Sequence, residues 1–241
     1  MSLRRLILAT QFLTRLPTPQ VGEFQPQELN RCAVYFPFVG AFIGTLLALP
    51  LLGVEHRPWL AAVLALLAWV WVTGALHLDG LADVADAFGA AHRNPERFME
   101  VLRDPHTGVF GVVAIVMQLL LKLVLLSELA GGRWAWGIVL VPAWARWATL
   151  WWSRHLPPLQ PGLAERFSWQ LGMPGVWLWA VVLALPTLWL APPLLLALPL
   201  APLIALYWRR RLGGISGDCL GASTEVMESL LLLALVALVR G

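Results

Sequence analysis

The sequence predicts an all-α, polytopic integral membrane helical bundle with six or seven transmembrane helices and an N-terminal interfacial helix. Apolar residues make up 59% of the 241 residues and charged residues only 13%, which leaves too little polar surface to cover a water-soluble protein. The apolar residues also gather in runs, and a helix needs about 20 of them to cross a hydrocarbon core. We therefore expect residues 1–241 to form a single membrane-embedded domain.

Each apolar run predicts one helix. The runs cover approximately residues 32–54, 59–76, 109–130, 134–152, 174–191, 193–208 and 226–239. The last two are short for a full crossing, and five prolines between 174 and 208 favour kinks, so that region could be one hairpin or a broken helix. Ahead of the runs, residues 3–16 indicate an amphipathic helix in the membrane interface, with no cleaved signal.

The basic residues predict an orientation and exclude one class of partner. Of the fifteen arginines outside the predicted spans, twelve fall in one set of alternating segments, which places the N-terminus and the loops 77–108, 153–173 and 209–225 in the cytoplasm. Although the net charge is +3, these arginines form no continuous stripe, so we expect no nucleic-acid partner.

Three aspartates follow the second apolar run, in the segment His77-Leu-Asp79-Gly-Leu-Ala-Asp83-Val-Ala-Asp86. On a helix, Asp79, Asp83 and Asp86 lie within an arc of about 60°, where their charges repel one another. A divalent ion that prefers oxygen ligands, most plausibly Mg²⁺, would remove this repulsion. The alternative is an acidic helix end that is simply solvated.

A second cluster lies between residues 213 and 225 on the same predicted side of the membrane. Asp218 and Glu225 are seven residues apart and share a helix face, while Gly217 and Gly221 allow close approach of a backbone or a ligand. This cluster could complete a shared metal and phosphate site. An ordinary glycine-rich connector is the alternative.

The second cytoplasmic loop ends in a further polar group. Arg103 and His106 could hold a phosphate and Asp104 could ligate a metal, but a turn that caps the next helix would use the same residues.

Two cations fall within the predicted spans, where a charge is costly unless it faces a polar cavity or a partner. Lys122 could simply extend to the membrane surface, whereas Arg146 lies in the middle of its run and is the better functional candidate.

At these residues the chain resembles the cobalamin synthases, formally the adenosylcobinamide-GDP ribazoletransferases. The matching motifs span residues 11 to 228 in a specific order. They are Gln11-Phe-Leu-Thr-Arg15-Leu-Pro17, Phe36-Pro37-Phe-Val-Gly40, His77-Leu-Asp79-Gly-Leu-Ala-Asp83 with Asp86, Arg103-Asp104, Lys122 with Ser127-Glu128-Leu129, Arg146, and Gly217-Asp218-Cys-Leu-Gly-Ala. The segment 154–173 is richer in proline and tryptophan than the family pattern, and no site residue is expected there.

The resemblance implies a single catalytic domain in the bacterial cytoplasmic (inner) membrane, with its active site on the cytoplasmic side. It implies that adenosylcobinamide-GDP and α-ribazole, or α-ribazole 5'-phosphate, are joined with release of GMP. The expected cofactor is Mg²⁺, held by Asp79, Asp83 and Asp86 with Asp218 or Glu225 contributing. The expected catalytic residues are Asp83, Asp86 as candidate base, Arg103 and Arg146. The expected substrate-binding residues are His77, Gly80, Asp104, His106, Lys122, Gly217 and Gly221.

Two other functions share parts of this pattern. A polytopic membrane transporter would also carry charged residues in its spans, but it would place them near the bilayer midplane, often in repeated halves. A CDP-alcohol phosphotransferase acting on lipid would use similar aspartate chemistry, but it carries a fuller aspartate signature than this chain does.

Overall fold

The computed structural model describes residues 3–21, 31–91, 94–159 and 172–237, and their regular structure is helical apart from one bridge between Pro158 and Ile215. Most of the predicted loop 153–173 and the end of the run 226–239 lie outside these ranges. The described helices are α1 (Leu3–Leu13), α2 (Phe36–Gly53), α3 (Pro58–Thr73), α4 (Leu76–Ala91), α5 (Pro95–Val101), α6 (Val109–Leu129), α7 (Val141–His155), α8 (Met173–Leu190), α9 (Ala197–Leu212) and α10 (Gly217–Ala237).

The all-α membrane bundle is confirmed, and the described residues give five or six spans against the six or seven predicted. Among the described residues, five helical stretches are long and apolar enough to cross a membrane. They are Ala33–Gly53, Val109–Leu129, Met173–Leu190, Pro192–Leu212 and Gly217–Ala237. A sixth span results if α3 and α4, which meet at a bend of 86°, are counted as one.

Two of the predicted runs differ from the helices in the structure, one in its type of helix and the other in where it begins. The run 134–152 contains a 3₁₀ segment, Ala135–Val139, followed by the 15-residue helix α7, which is too short for a full crossing. The final run begins earlier than expected, because α10 starts at Gly217 and includes most of the predicted connector 213–225. The polar residues of that segment therefore lie on a helix inside the bundle.

Helix α7 lies at the centre of the bundle because its tryptophans bond to the helices around it. The indole nitrogens of Trp144, Trp147 and Trp152 donate to Thr187 Oγ1, the Val176 carbonyl and the Ala201 carbonyl respectively, each at 2.9 Å. Such bonds satisfy the polar end of a buried indole and fix the helix position. A functional residue on α7 is thereby held at a defined place.

The sharp bend between α3 and α4 directs the aspartate segment away from the axis of α3. Gly74 and Ala75 both adopt left-handed backbone angles, with φ of 61° and 60°, which end α3 and let α4 start in a new direction. The Arg15 amide donates to the Val72 carbonyl at 2.8 Å, so the segment after α1 is fixed to this bend. The bend thus brings α1 and α4 to the same end of the bundle.

Candidate active site

A cavity of about 160 Å³ lies where α1, α4, α7 and α10 meet. Phe12 and Leu13 of α1 form an apolar wall, and the other helices contribute most of the polar groups. The polar and glycine residues that line it are His77, Asp79, Gly80, Arg146, Thr149, Gly217, Asp218, Gly221 and Thr224. Residues from the aspartate segment, the glycine-rich segment and the middle of α7 therefore share one cavity, as the sequence predicted.

Two glycines bring α4 and α10 into close contact. A Cβ atom on Gly80 would lie 2.8 Å from the Asp218 carbonyl oxygen, and one on Gly221 would lie 3.4 Å from the His77 carbonyl oxygen. The close neighbour of both glycines is thus a helix backbone, which is one of the two close approaches that the sequence allowed, and both glycines also line the cavity. A Cβ on Gly217 would meet no atom within 4 Å, so this position stays open.

Carboxylates from both helices meet beside the cavity. Asp79, Asp86 and Asp218 are all close enough to Asp83 for their negative charges to repel it. In the part of the chain that the structure describes, Asp79, Asp83 and Asp218 form no ion pair. The predicted grouping of Asp218 with the aspartates of α4 is therefore present, and its negative charge is left for a ligand to compensate.

These carboxylates do not form a complete metal site by themselves. Within the described ranges, no group of three or more histidine, cysteine, aspartate or glutamate side chains is arranged to hold a metal ion. A donor set made only of carboxylate oxygens fits Mg²⁺, which usually takes one or two carboxylates and completes its shell with water and substrate phosphates. The chemistry of the set fits the predicted ion, and the remaining ligands would come from elsewhere.

Asp86 has a structural role that sequence reasoning did not anticipate. Its carboxylate accepts hydrogen bonds from the amides of Gly108 at 2.7 Å and Gly111 at 2.9 Å, one on each oxygen. These amides belong to the start of α6, so Asp86 caps that helix from α4. Because both oxygens are engaged in this way, we do not carry forward the expectation that Asp86 is the base.

The polar residues of the loop before α6 lie outside the cavity. Asp104 accepts a hydrogen bond from the His106 amide at 3.0 Å, and its Oδ1 lies 2.7 Å from the His106 ring nitrogen Nδ1. These bonds lower the pKa of the Asp104 carboxyl, mainly through the His106 side chain. Arg103 is exposed in the same loop. The structure thus does not bring Arg103, Asp104 and His106 to the predicted phosphate and metal positions.

Lys122 and Glu225 belong to a buried charge network. The Lys122 ammonium lies 2.7 Å from Glu225 Oε2 and 2.6 Å from Glu228 Oε2, and Lys122 is only 2% exposed. Gln118 also donates to Glu225 Oε2 at 2.8 Å. Lys122 therefore neither extends to the membrane surface nor lines the cavity, and Glu225 faces a cation instead of the aspartates. These contacts do not favour the expected roles of Lys122 in substrate binding and of Glu225 in metal binding.

Arg146 belongs to both the charge network and the cavity. Its guanidinium forms an ion pair with Glu228, and its second terminal nitrogen lies 3.3 Å from His77 Nδ1. Its Nε is buried and finds no hydrogen-bond partner within the described ranges. Since Arg146 also lines the cavity, it has a donor left over at a place where an anion could bind.

Glu228 is the central residue that sequence reasoning missed. It is completely buried and is the carboxylate shared by Lys122 and Arg146. A charge count could have found it, because two cations inside predicted spans require anions, and Glu228 lies in the final apolar run. We call Lys122, Arg146, Glu225 and Glu228 the buried quartet.

The family follows from comparison with known proteins. The profile of the family described as "Cobalamin-5-phosphate synthase" matches residues 5–236. The chain belongs to this family. It is 54% identical to the adenosylcobinamide-GDP ribazoletransferase of Laribacter hongkongensis over 98% of each chain. It is 48% identical to the protein of the same name in Thiobacillus denitrificans, over 99% of this chain and 98% of the relative. No solved structure matches the chain.

Membership of the cobalamin-5-phosphate synthase family confirms the resemblance seen in the motifs. It also confirms the prediction of a transferase in cobalamin biosynthesis, and it decides against a transporter or a lipid-specific CDP-alcohol phosphotransferase. The assignment of individual site residues and the need for Mg²⁺ are separate questions.

Proposed function

We propose that this protein joins adenosylcobinamide-GDP to α-ribazole, or to α-ribazole 5'-phosphate, with release of GMP. Relatives at 48–54% identity bear the name adenosylcobinamide-GDP ribazoletransferase. The observation that carries the proposal is the pairing of unneutralised carboxylates with a buried arginine around one cavity. A diphosphate together with a divalent cation complements both groups.

In the proposed reaction, the ribose hydroxyl of α-ribazole attacks the phosphorus that carries the cobinamide. The new phosphorus–oxygen bond forms as the diphosphate bond to GMP breaks, and GMP leaves with the electron pair of that bond. The hydroxyl proton passes to a carboxylate of the site or to water. Asp79 and Asp218 line the cavity, so their carboxylates are the closest candidates on this chain.

We propose that one or two of the carboxylates of Asp79, Asp83 and Asp218 hold Mg²⁺, with water and phosphate oxygens of the substrate completing its coordination. When bound, Mg²⁺ would neutralise charge on the diphosphate and on the departing GMP. The mutual repulsion of the aspartates supports this assignment, because a cation between them would relieve it. Asp86 and Glu225 are not included, since one caps α6 and the other pairs with Lys122.

Arg146 is the proposed phosphate-binding residue. Its Nε is buried and has no hydrogen-bond partner in the part of the chain that the structure describes, and its side chain lines the cavity. An arginine with a free donor binds phosphate oxygens readily, and the ion pair with Glu228 keeps its planar group in place. Arg103, which is exposed in the loop before α6, remains a prediction from the family resemblance alone.

We further propose that the protein lies in the bacterial cytoplasmic (inner) membrane with the cavity on the cytoplasmic side. Support comes from the basic residues, because Arg209, Arg210 and Arg211 end α9 directly before the turn that leads to Asp218. Positive charges next to spans favour the cytoplasmic face. The cavity and the basic end of α9 thus lie at the same end of the bundle.

The function is tested with protein purified in detergent or in lipid vesicles. The sample is incubated with adenosylcobinamide-GDP, α-ribazole and Mg²⁺, and both GMP and the completed corrinoid are quantified by liquid chromatography with mass spectrometry. We expect equal amounts of the two products, and none when α-ribazole is left out. A folded sample that forms neither product would refute the proposed function, and turnover of CDP-diacylglycerol instead would favour the lipid alternative.

A further inference from the structure

Glu228 lies too deep to touch a substrate, yet it contacts the cavity through one neighbour. It is fully buried and does not line the cavity, whereas Arg146, with which it forms an ion pair, does. The other oxygen of its carboxylate is taken by Lys122 at 2.6 Å. The Glu228 carboxylate is therefore fixed on one side by α6 and fixes α7 on the other.

We propose that Glu228 is a positioning residue that aims the Arg146 guanidinium at the cavity. The inference rests on the proposed function, because it concerns the group that would bind the diphosphate. An arginine side chain has many rotamers, so a guanidinium without a fixed partner loses entropy when it binds a phosphate. A carboxylate that already holds the guanidinium removes much of that loss.

The charge balance of the buried quartet supports this role over simple neutralisation. The quartet contains two cations and two anions, so it is neutral inside the bundle. If neutrality were the only requirement, Lys122 with Glu225 and Arg146 with Glu228 could form two separate pairs. Both of these pairs are present, but Glu228 contacts Lys122 as well as Arg146, whereas Glu225 contacts Lys122 and Gln118. Arg146 thus depends on Glu228 for its orientation.

The Arg146 guanidinium contacts its neighbours through its two terminal nitrogens. Glu228 and the Pro142 carbonyl accept from one terminal nitrogen, and His77 lies at 3.3 Å from the other. The remaining Nε is buried and has no hydrogen-bond partner among the described residues. Glu228 therefore engages one terminal nitrogen of the guanidinium, and Nε is the donor that remains for an anion.

The test compares two double variants that keep the interior neutral. Lys122→Met with Glu228→Gln removes one charge of each sign and takes away the partner of Arg146. Lys122→Met with Glu225→Gln removes the same charges but leaves Glu228 and Arg146 paired. Both are purified in detergent, checked for folding by thermal unfolding, and assayed for GMP release.

We expect the Glu228 double variant to lose about 10- to 100-fold in kcat/KM, and the Glu225 double variant to lose less than about threefold. The loss should appear as a raised KM for adenosylcobinamide-GDP, with the KM for α-ribazole nearly unchanged. On an Arg146→Gln background, Glu228→Gln should have no further effect on catalysis, since it acts through Arg146.

Equal losses in the two double variants, or failure of both to fold, would overturn the inference, because the buried quartet would then serve the fold as a whole. Full additivity of the Glu228 and Arg146 substitutions would overturn it as well. Absence of product from the unmodified protein would instead contradict the proposed function. Failure of the proposed function and failure of this inference are therefore distinguishable.

Discussion

The two acidic groups of this protein carry the same charge in opposite surroundings. Asp79, Asp83 and Asp218 lie at or beside the cavity and, within the described residues, have no ion pair. Glu225 and Glu228 lie deeper on α10 and are saturated by Lys122 and Arg146. Carboxylates without a counterion indicate a ligand-binding site, whereas carboxylates paired with cations inside a membrane protein indicate a structural role.

Among the changes that test this difference between the two acidic groups, removal of divalent cations should have the largest effect on activity. If the unneutralised aspartates hold Mg²⁺, dialysis against EDTA should abolish GMP release, and added Mg²⁺ should restore it. The buried quartet needs no metal, so the thermal unfolding temperature of the apoprotein should stay within a few degrees of the untreated protein. Full activity in EDTA would show that the aspartates serve another purpose.

Asp83→Asn should lower kcat by about a thousandfold or more, because a neutral amide oxygen binds Mg²⁺ more weakly than a carboxylate and does not balance its charge. Insertion and folding should be unaffected, since removing one of several repelling charges does not weaken the helix contacts. The measurement is GMP release by folded protein, with size-exclusion chromatography as the check on folding. Activity near that of the parent protein would exclude Asp83 as a metal ligand.

Glu225→Gln should reverse the pattern, with a large effect on stability and a small one on catalysis. Breaking a buried ion pair by removing one partner costs about 3 kcal/mol or more, because the remaining charge of Lys122 loses a counterion. The loss of kcat should stay below about fivefold, since Glu225 does not line the cavity. Differential scanning fluorimetry in detergent and the GMP assay measure the two effects. A loss of activity as great as that of Asp83→Asn would put Glu225 back at the metal.

Gly80→Ala tests whether helix contact brings the aspartates together. The added methyl would meet the Asp218 backbone, so α4 and α10 must separate, at a cost of about 1–3 kcal/mol. We expect a lower unfolding temperature together with reduced activity. Gly217→Ala is the matched control for stability, since a Cβ there meets no atom within 4 Å. Equal stability of the two variants would show that the contact between α4 and α10 tolerates the added methyl group.

The smallest effect is expected at an acidic residue that belongs to neither group. Asp104→Asn removes a charge from an exposed loop, where the carboxylate bonds to the amide and the ring of His106. Because the pKa of Asp104 is lowered in the folded protein, its contribution to stability is present at neutral pH and is lost as the pH falls through that pKa. Activity at pH 7 should change by less than about twofold. A much larger loss would return Asp104 to the list of site residues.

Local patterns predicted the unneutralised group well, because a helix of known period places Asp79 and Asp83 on one face. They could also identify Arg146 as functional from the cost of a charge within a span. They failed where partners are distant in sequence. The Asp86 carboxylate meets amides 22 and 25 residues away, and Glu228 meets Arg146 across 82 residues. No periodicity encodes such contacts, and the shared helix face of Asp218 and Glu225 did not reveal that Glu225 pairs with Lys122.

The buried quartet also has a consequence for the order in which the protein is made. Lys122 and Arg146 lie on α6 and α7, while both of their counterions lie on α10, which leaves the ribosome after them. During synthesis these two cations therefore lack their carboxylate counterions until α10 has been made. A nascent chain that stops before α10 therefore carries two unbalanced charges. This gives quality control a basis for removing incomplete copies before they accumulate in the membrane.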